Sequence, residues 1–159
     1  MPVSTWVEVD LDRFAANLAS IRQHTGPGRE VLLVAKADAY GHGAADMAAA
    51  GERAGVTQLG VATLHEGMQL RRAGSKLPIM AMSPLLAGEI PEAVQHMIDP
   101  TVCDLEFARA LSDEAIQAER AVRFHVEIDT GMGRTGVHLH EAEEFLVEAC
   151  ALAGLRLAS

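Results

Sequence analysis

The sequence predicts an α/β fold: an incomplete (β/α)8 TIM-type barrel of parallel strands, with about six of the eight strands present. Three observations carry that expectation. Short apolar runs alternate with amphipathic stretches along the whole chain, the rhythm of parallel strands joined by right-handed helical crossovers. The segment Phe124–Asp129 alternates strictly, with Phe124, Val126 and Ile128 on one face and His125, Glu127 and Asp129 on the other. An interior strand of an open doubly wound sheet is covered on both faces and reads as continuously apolar, whereas a barrel strand can turn a polar face inward. The last apolar run opens near Leu155, so the series stops inside its sixth strand.

The elements follow in order. A helix is expected from Asp10, with Leu11, Phe14, Leu18 and Ile21 on one stripe. Val31–Lys36 reads as a short strand rich in branched residues, followed by a helix near Gly43. Strand Leu59–Thr63 runs into a helix that Thr63 and Glu66 start as a Thr-x-x-Glu capping box. Strand Pro78–Met82 precedes a helix after Gly88; strand Ile98–Val102 precedes one with Asp104 as N-cap. Strand Val122–Asp129 leads through a glycine-rich loop to a helix after His138, and a final strand begins near Leu155. Trp6 is expected to anchor the start of the chain by packing, and Met80 and Met82 to fill the core.

Composition narrows the function classes. The chain has 159 residues, 49% of them apolar and 22% charged, enough for one domain with a real core. A net charge of −9, with thirteen cations that never cluster, argues against nucleic-acid binding. No apolar run approaches the ~20 residues needed to span a bilayer, and Met1–Ser4 lacks the basic start of a signal peptide. No membrane association is expected. Cys103 and Cys150, far apart in apolar settings, read as buried thiols of a reducing cytoplasm.

The chemistry concentrates in two segments. In VAKADAYGHG (Val34–Gly43), Lys36 stands where an apolar strand ends. A buried ammonium is costly, and a partly desolvated lysine becomes a usable amine for carbonyl chemistry. The chain's other lysine, Lys76, lies in an ordinary loop. Tyr40, the only tyrosine, and His42 follow in a glycine-rich turn ahead of a helix whose first amides could receive an anion. The second segment is DTGMGRTG (Asp129–Gly136), at the carboxyl end of the alternating strand, where barrel enzymes place their active sites. Arg134 can engage a carboxylate with two parallel hydrogen bonds, and Glu127 is its expected partner. His138 and His140 form the only close histidine pair and there is no HExxH pattern, so no metal site is expected. Arg71-Arg72 reads as a basic helix end that needs no ligand.

Together these segments resemble alanine racemase, a family of pyridoxal-phosphate barrel enzymes. The resemblance covers almost the whole chain: WVEVDL (Trp6–Leu11), VAKADAYGHGA, LGVAT (Leu59–Thr63) with Glu66 and Gly67 behind it, and DTGMGRTG. It implies that Lys36 carries pyridoxal 5′-phosphate and acts as a catalytic base, that Tyr40 contacts the phosphate, and that Arg134 lies near the cofactor ring and the substrate carboxylate. Seven residues before the arginine, many members carry a lysine whose carbamylated end orients it. Here that position is Glu127, expected to replace the carbamate and pair with Arg134.

The implied activity is interconversion of L- and D-alanine, a small amino-acid substrate, for peptidoglycan in the cytoplasm. Racemisation needs a second acid/base group, which the family draws from a tyrosine of its carboxyl-terminal β-domain across a homodimer interface. Tyr40 is the only tyrosine present. Residues 1–159 are therefore expected to be the amino-terminal part of the barrel domain, without the β-domain and with little or no activity in isolation. The alternatives are a decarboxylase or broad-specificity racemase of the same fold group, or a small non-catalytic cofactor-binding barrel protein.

Overall fold

The computed structural model describes residues 5–159; Met1–Ser4, read above for a leader, lie outside the described residues. The chain runs α1 (Leu11–Thr25), β1 (Leu32–Val34), α2 (Lys36–Gly41), α3 (Ala44–Arg53), β2 (Gln58–Val61), α4 (Leu64–Arg72) and β3 (Ile79–Ala81). A 3-10 turn (Ala87–Glu89) leads to α5 (Ile90–His96), β4 (Ile98–Val102), α6 (Leu105–Gln117) and β5 (Val122–Val126). After the short pieces β6 (Ile128–Asp129) and β7 (Val137–His138) come α7 (Ala142–Ala151) and β8 (Leu155–Leu157).

The main sheet has the order β1-β2-β3-β4-β5-β8, every neighbour parallel. Each crossover steps one strand in the same direction, whereas a doubly wound sheet reverses its order at a switch point. The sheet also curls. The Gln58 side-chain amide of β2 donates to His125 Nε2 of β5 across 3.1 Å, although β3 and β4 lie between them. Three strand spacings in a flat sheet would hold those backbones roughly 14 Å apart. Only a sheet bent towards closure lets the two side chains meet on its concave face. The fold is an α/β parallel sheet of six strands in an open barrel.

The convex face is the core. Leu59, Val61, Ile79, Ile98, Val102 and Phe124 are buried beneath Leu70, Val94, Leu111 and Phe145 of the surrounding helices. Helix starts follow side-chain chemistry. Asp10 accepts from Arg13 N–H (2.9 Å), Asp104 accepts from Phe107 N–H (2.7 Å), and the Thr63/Glu66 capping box is formed.

Several expectations are corrected. The strand expected over Val122–Asp129 breaks after Val126 because Val137 N–H donates to Glu127 O (2.8 Å), folding the following loop back. The first strand ends at Val34 rather than Lys36 because Ala35 and Lys36 already enter a turn. Trp6 anchors nothing within these residues: it is 75% exposed, and residues 5–10 form no strand. Cys103 is half-buried and Cys150, on the outer face of α7, is exposed, so neither is the buried thiol expected.

Candidate active site

The amino group of Lys36 is placed by an unusual piece of backbone. Within α2, Ala37, Asp38, Ala39 and Tyr40 have φ of 51, 53, 52 and 55° with ψ between 38 and 49°. These are four consecutive non-glycine residues in the left-handed helical region. Each such L-residue is disfavoured by about 1–2 kcal/mol, so the turn persists only where its surroundings over-determine it. They do. Ala35 is buried, and its N–H donates to Gly60 O of β2 (2.7 Å). Ala39 is buried and donates to Ala35 O (3.0 Å), while His42 Nδ1 lies 2.9 Å from Ala39 O. At the turn's exit the Asp38 carboxylate accepts from Ala44 N–H (2.7 Å). At its start, Ala37 N–H donates to Glu66 Oε1 (2.7 Å).

One consequence corrects the sequence reading. The first amide of α3, expected to be open to an anion, is taken by Asp38. The Asp38 carboxylate, two residues past the lysine, fills that position. The left-handed coil has a second effect. It returns the chain so that Lys36 Nζ lies 6.0 Å from the centre of the Tyr40 ring, with the phenol 61% exposed. Amine and phenol thus share the carboxyl-end mouth of β1, and no carboxylate lies within ion-pair distance of Lys36 among the described residues.

Glu66 does more than cap. Its Oε2 accepts from Ala62 N–H (2.8 Å) and Thr63 N–H (3.1 Å), while Oε1 reaches Ala37. Burial pushes its carboxyl up, and the backbone donors of Ala37, Ala62 and Thr63 outweigh that, holding it below its ordinary range. The Thr-x-x-Glu pattern signalled the cap. Nothing local in the sequence signalled the reach to residue 37.

The second segment is built on Asp129. Its carboxylate accepts from Gly131 N–H (2.9 Å) and Gly133 N–H (3.0 Å), and these donors hold it below the usual carboxylate range. Gly136 has φ +110°, and a Cβ there would lie 2.9 Å from Asp129 N and 3.0 Å from Glu127 O, so only glycine fits. Arg134 stands exposed on this loop. The expected Glu127–Arg134 pair is not formed. Glu127 Oε2 accepts from Thr135 Oγ1 at 2.7 Å, and Arg134 has no ion-pair partner within 4.0 Å among the described residues. The Thr135 hydroxyl takes the glutamate carboxylate, and the exposed Arg134 guanidinium does not reach it within ion-pair distance. Glu127 also faces Cys103, whose thiol burial pushes up and the Glu127 charge pushes further.

Lys36 with Tyr40, and Arg134, therefore stand at the carboxyl ends of β1 and β5, the mouth end of a parallel barrel. An unneutralised amine beside a phenol, and an unpaired guanidinium on a separate loop, suit a ligand that carries an aldehyde and anionic groups. Among the described residues no group of three or more His, Cys, Asp or Glu could hold a metal ion, and no helix is long and apolar enough to cross a membrane.

The chain is similar along almost its whole length to proteins of one family. Residues 9–159 match the family model "Alanine racemase, N-terminal domain". An alanine racemase of Synechocystis sp. is 38% identical over 155 residues, covering 97% of this chain and 42% of the relative. That of Chlorobaculum tepidum is 42% identical over 147 residues, covering 89% of this chain and 38% of the relative. The solved alanine racemase of Clostridium difficile 630 in complex with cycloserine superposes with a TM-score of 0.90 at 32% identity, over 99% of this chain and 43% of that one. The chain thus spans about two fifths of the length of these relatives. The chain belongs to the alanine racemase family, whose amino-terminal domain it matches over residues 9–159.

Proposed function

We propose that these residues form the amino-terminal barrel part of a cytoplasmic, pyridoxal-phosphate-dependent alanine racemase that interconverts L- and D-alanine for peptidoglycan. The observation that carries the reading is the placement of Lys36 Nζ beside Tyr40 by a left-handed turn at the mouth of the sheet. Pyridoxal 5′-phosphate, when bound, supplies an electron-poor ring that stabilises negative charge at the substrate Cα. Every other part of the chemistry assigned here is done by protein side chains.

Lys36 Nζ would hold the cofactor through its aldehyde carbon, and Tyr40 Oη would donate to a phosphate oxygen. With the cofactor in place, Lys36 Nζ would also serve as the base that removes or returns the substrate Cα proton on one face. The Arg134 guanidinium would receive the substrate carboxylate through two parallel N–H bonds, which fixes which Cα bond faces the lysine. The opposite face needs its own acid/base group. Tyr40, the only tyrosine here, is engaged elsewhere in this scheme, so that group would come from the remainder of a longer, homodimeric enzyme. The 159 residues alone are expected to racemise little.

The test is an absorbance scan of the protein with pyridoxal phosphate beside a Lys36→Ala control. A visible band that forms with the native chain and is lost in the control supports the reading. A band that survives in the control, or never forms, sinks it.

A further inference from the structure

Glu66 adds a side-chain link between the lysine turn and the β2–α4 junction, beside the backbone bond from Ala35 N–H to Gly60 O. With one oxygen its carboxylate accepts from Ala62 and Thr63, at the end of β2 and the start of α4; with the other it accepts from Ala37, the residue after Lys36. Ala37 is also the first of the four left-handed residues. In such a turn the earliest amide has no carbonyl behind it to accept its proton, as at any helix start. Here Glu66, 29 positions along the chain, supplies that acceptor. Asp38 performs the matching task at the exit by accepting from Ala44.

The two carboxylates are not equivalent. Asp38 belongs to the turn and moves with it. Glu66 is anchored to the β2–α4 junction through two backbone donors, Ala62 and Thr63, and Thr63 Oγ1 accepts from its own N–H (3.3 Å). Its grip on Ala37 therefore fixes the turn relative to the sheet rather than relative to itself. An ion pair plays no part: Lys36 has no carboxylate within 4.0 Å among the described residues. Any influence of Glu66 on the lysine must travel through the backbone.

We infer that Glu66 is a positioning residue for Lys36: by holding Ala37 N–H it keeps the lysine turn left-handed, and so keeps Nζ beside the Tyr40 ring at the mouth of the sheet. This rests on the reading of Lys36 as the reactive amine.

The chain offers its own internal standard, since Lys76 is its only other lysine. Pyridoxal phosphate is added to the full 159-residue chain, bound aldehyde is trapped on lysine with borohydride, and peptide mass spectrometry gives the Lys36:Lys76 ratio. Glu66→Asp keeps the charge and can keep the local cap, but its stem is one methylene shorter and withdraws from Ala37. Loss of that charge-assisted bond is expected to lower the Lys36:Lys76 ratio by about tenfold. Thr63→Ala, which removes a cap partner but leaves Glu66's reach, is expected to stay within about twofold of native. The inference is overturned if folded Glu66→Asp labels like the native chain, or if Thr63→Ala lowers the ratio as much.

Should Glu66→Asp not fold, amide exchange on the native chain decides. Ala37 N–H must be protected as well as Ala62 N–H, and exchange at the rate of an open loop overturns the inference. A native chain that shows no preference for Lys36 over Lys76, with Ala37 protected, is a different result. It refutes Lys36 as the reactive amine and leaves the hold on Ala37 standing.

Discussion

Asp99 of β4 and His125 of β5 face each other across the concave side of the sheet, with Asp99 Oδ2 4.0 Å from His125 Nε2. Both are buried, and Arg123 Nε lies 3.5 Å from the same oxygen. Burial pushes the Asp99 carboxyl up to about 6 from 3.8, against the pull of Arg123 and Arg71. Burial, with help from Arg123, pushes His125 down to about 4 from 6.5. Folded Asp99 binds more protons than unfolded between pH 3.8 and 6, so its contribution to stability falls as pH rises through that window. Folded His125 binds fewer between pH 4 and 6.5, so its contribution rises. The two oppose each other, and the native chain is expected to show a flat stability profile there. Asp99→Asn removes the falling arm. Its unfolding free energy should climb by on the order of 3 kcal/mol from pH 4 to 6.5. Urea melts across that range check this; a profile as flat as the native one sinks it.

Gly136 closes the Arg134 loop in a conformation open only to glycine, against backbone atoms of Asp129 and Glu127. Gly136→Ala must move one of those strands apart and weaken the Val137 N–H to Glu127 O bond. A loss of about 1–3 kcal/mol is expected. Trypsin cleavage after Arg134 should accelerate in parallel. A variant with native melting temperature and native cleavage rate contradicts this account of the loop.

How much of this was legible in the sequence depends on the distance over which each feature is set. Helix caps at Thr63 and Asp104 are local chemistry, and they stand where the residue pattern placed them, as does the helix start near Asp10. Strand Ile98–Val102 matched to the residue because burial on both faces left no ambiguity about its ends. The alternating segment at Phe124 correctly signalled an inward polar face, yet its end was misplaced, because the bond that breaks the strand comes from Val137, beyond the pattern. The lysine turn was read as permissive glycine loop. Its left-handedness lies in four non-glycine residues held by Glu66 and Asp38, and no propensity signals that. The Glu127–Arg134 pair failed for a similar reason: charge complementarity named a partner, and the hydroxyl of Thr135, one residue further along the chain, took the carboxylate.

That hydroxyl supplies a third prediction. Thr135→Val keeps the shape but leaves the half-buried Glu127 carboxylate without its donor, a loss of about 1–2 kcal/mol. Thr135→Ser keeps the donor and should stay near native. Because Glu127 also pushes the Cys103 thiol up, Glu127→Gln should make Cys103 react faster with iodoacetamide at neutral pH. Equal unfolding midpoints for the Val and Ser variants, with unchanged thiol reactivity in Glu127→Gln, would show that Glu127 organises nothing here.

Arg71 tests whether the other end of the sheet is separable from the site. Its guanidinium donates to four backbone carbonyls: His96 O (3.0 Å), Ser75 O (3.1 Å), Leu77 O (2.6 Å) and Met97 O (2.7 Å). These stitch the end of α4 to the loops that feed β3 and β4 at the amino-terminal end of the strands. A lysine cannot match that planar fork, and each abandoned carbonyl is left with at most water. Arg71→Lys should therefore destabilise the chain by about 2–3 kcal/mol. Conserved function is normally kept at the mouth of a parallel barrel and stability at its base. In protein still folded, the Lys36:Lys76 trapping ratio should accordingly match the native value. A fall in that ratio at temperatures well below unfolding would mean that the base of the sheet and the lysine turn are coupled.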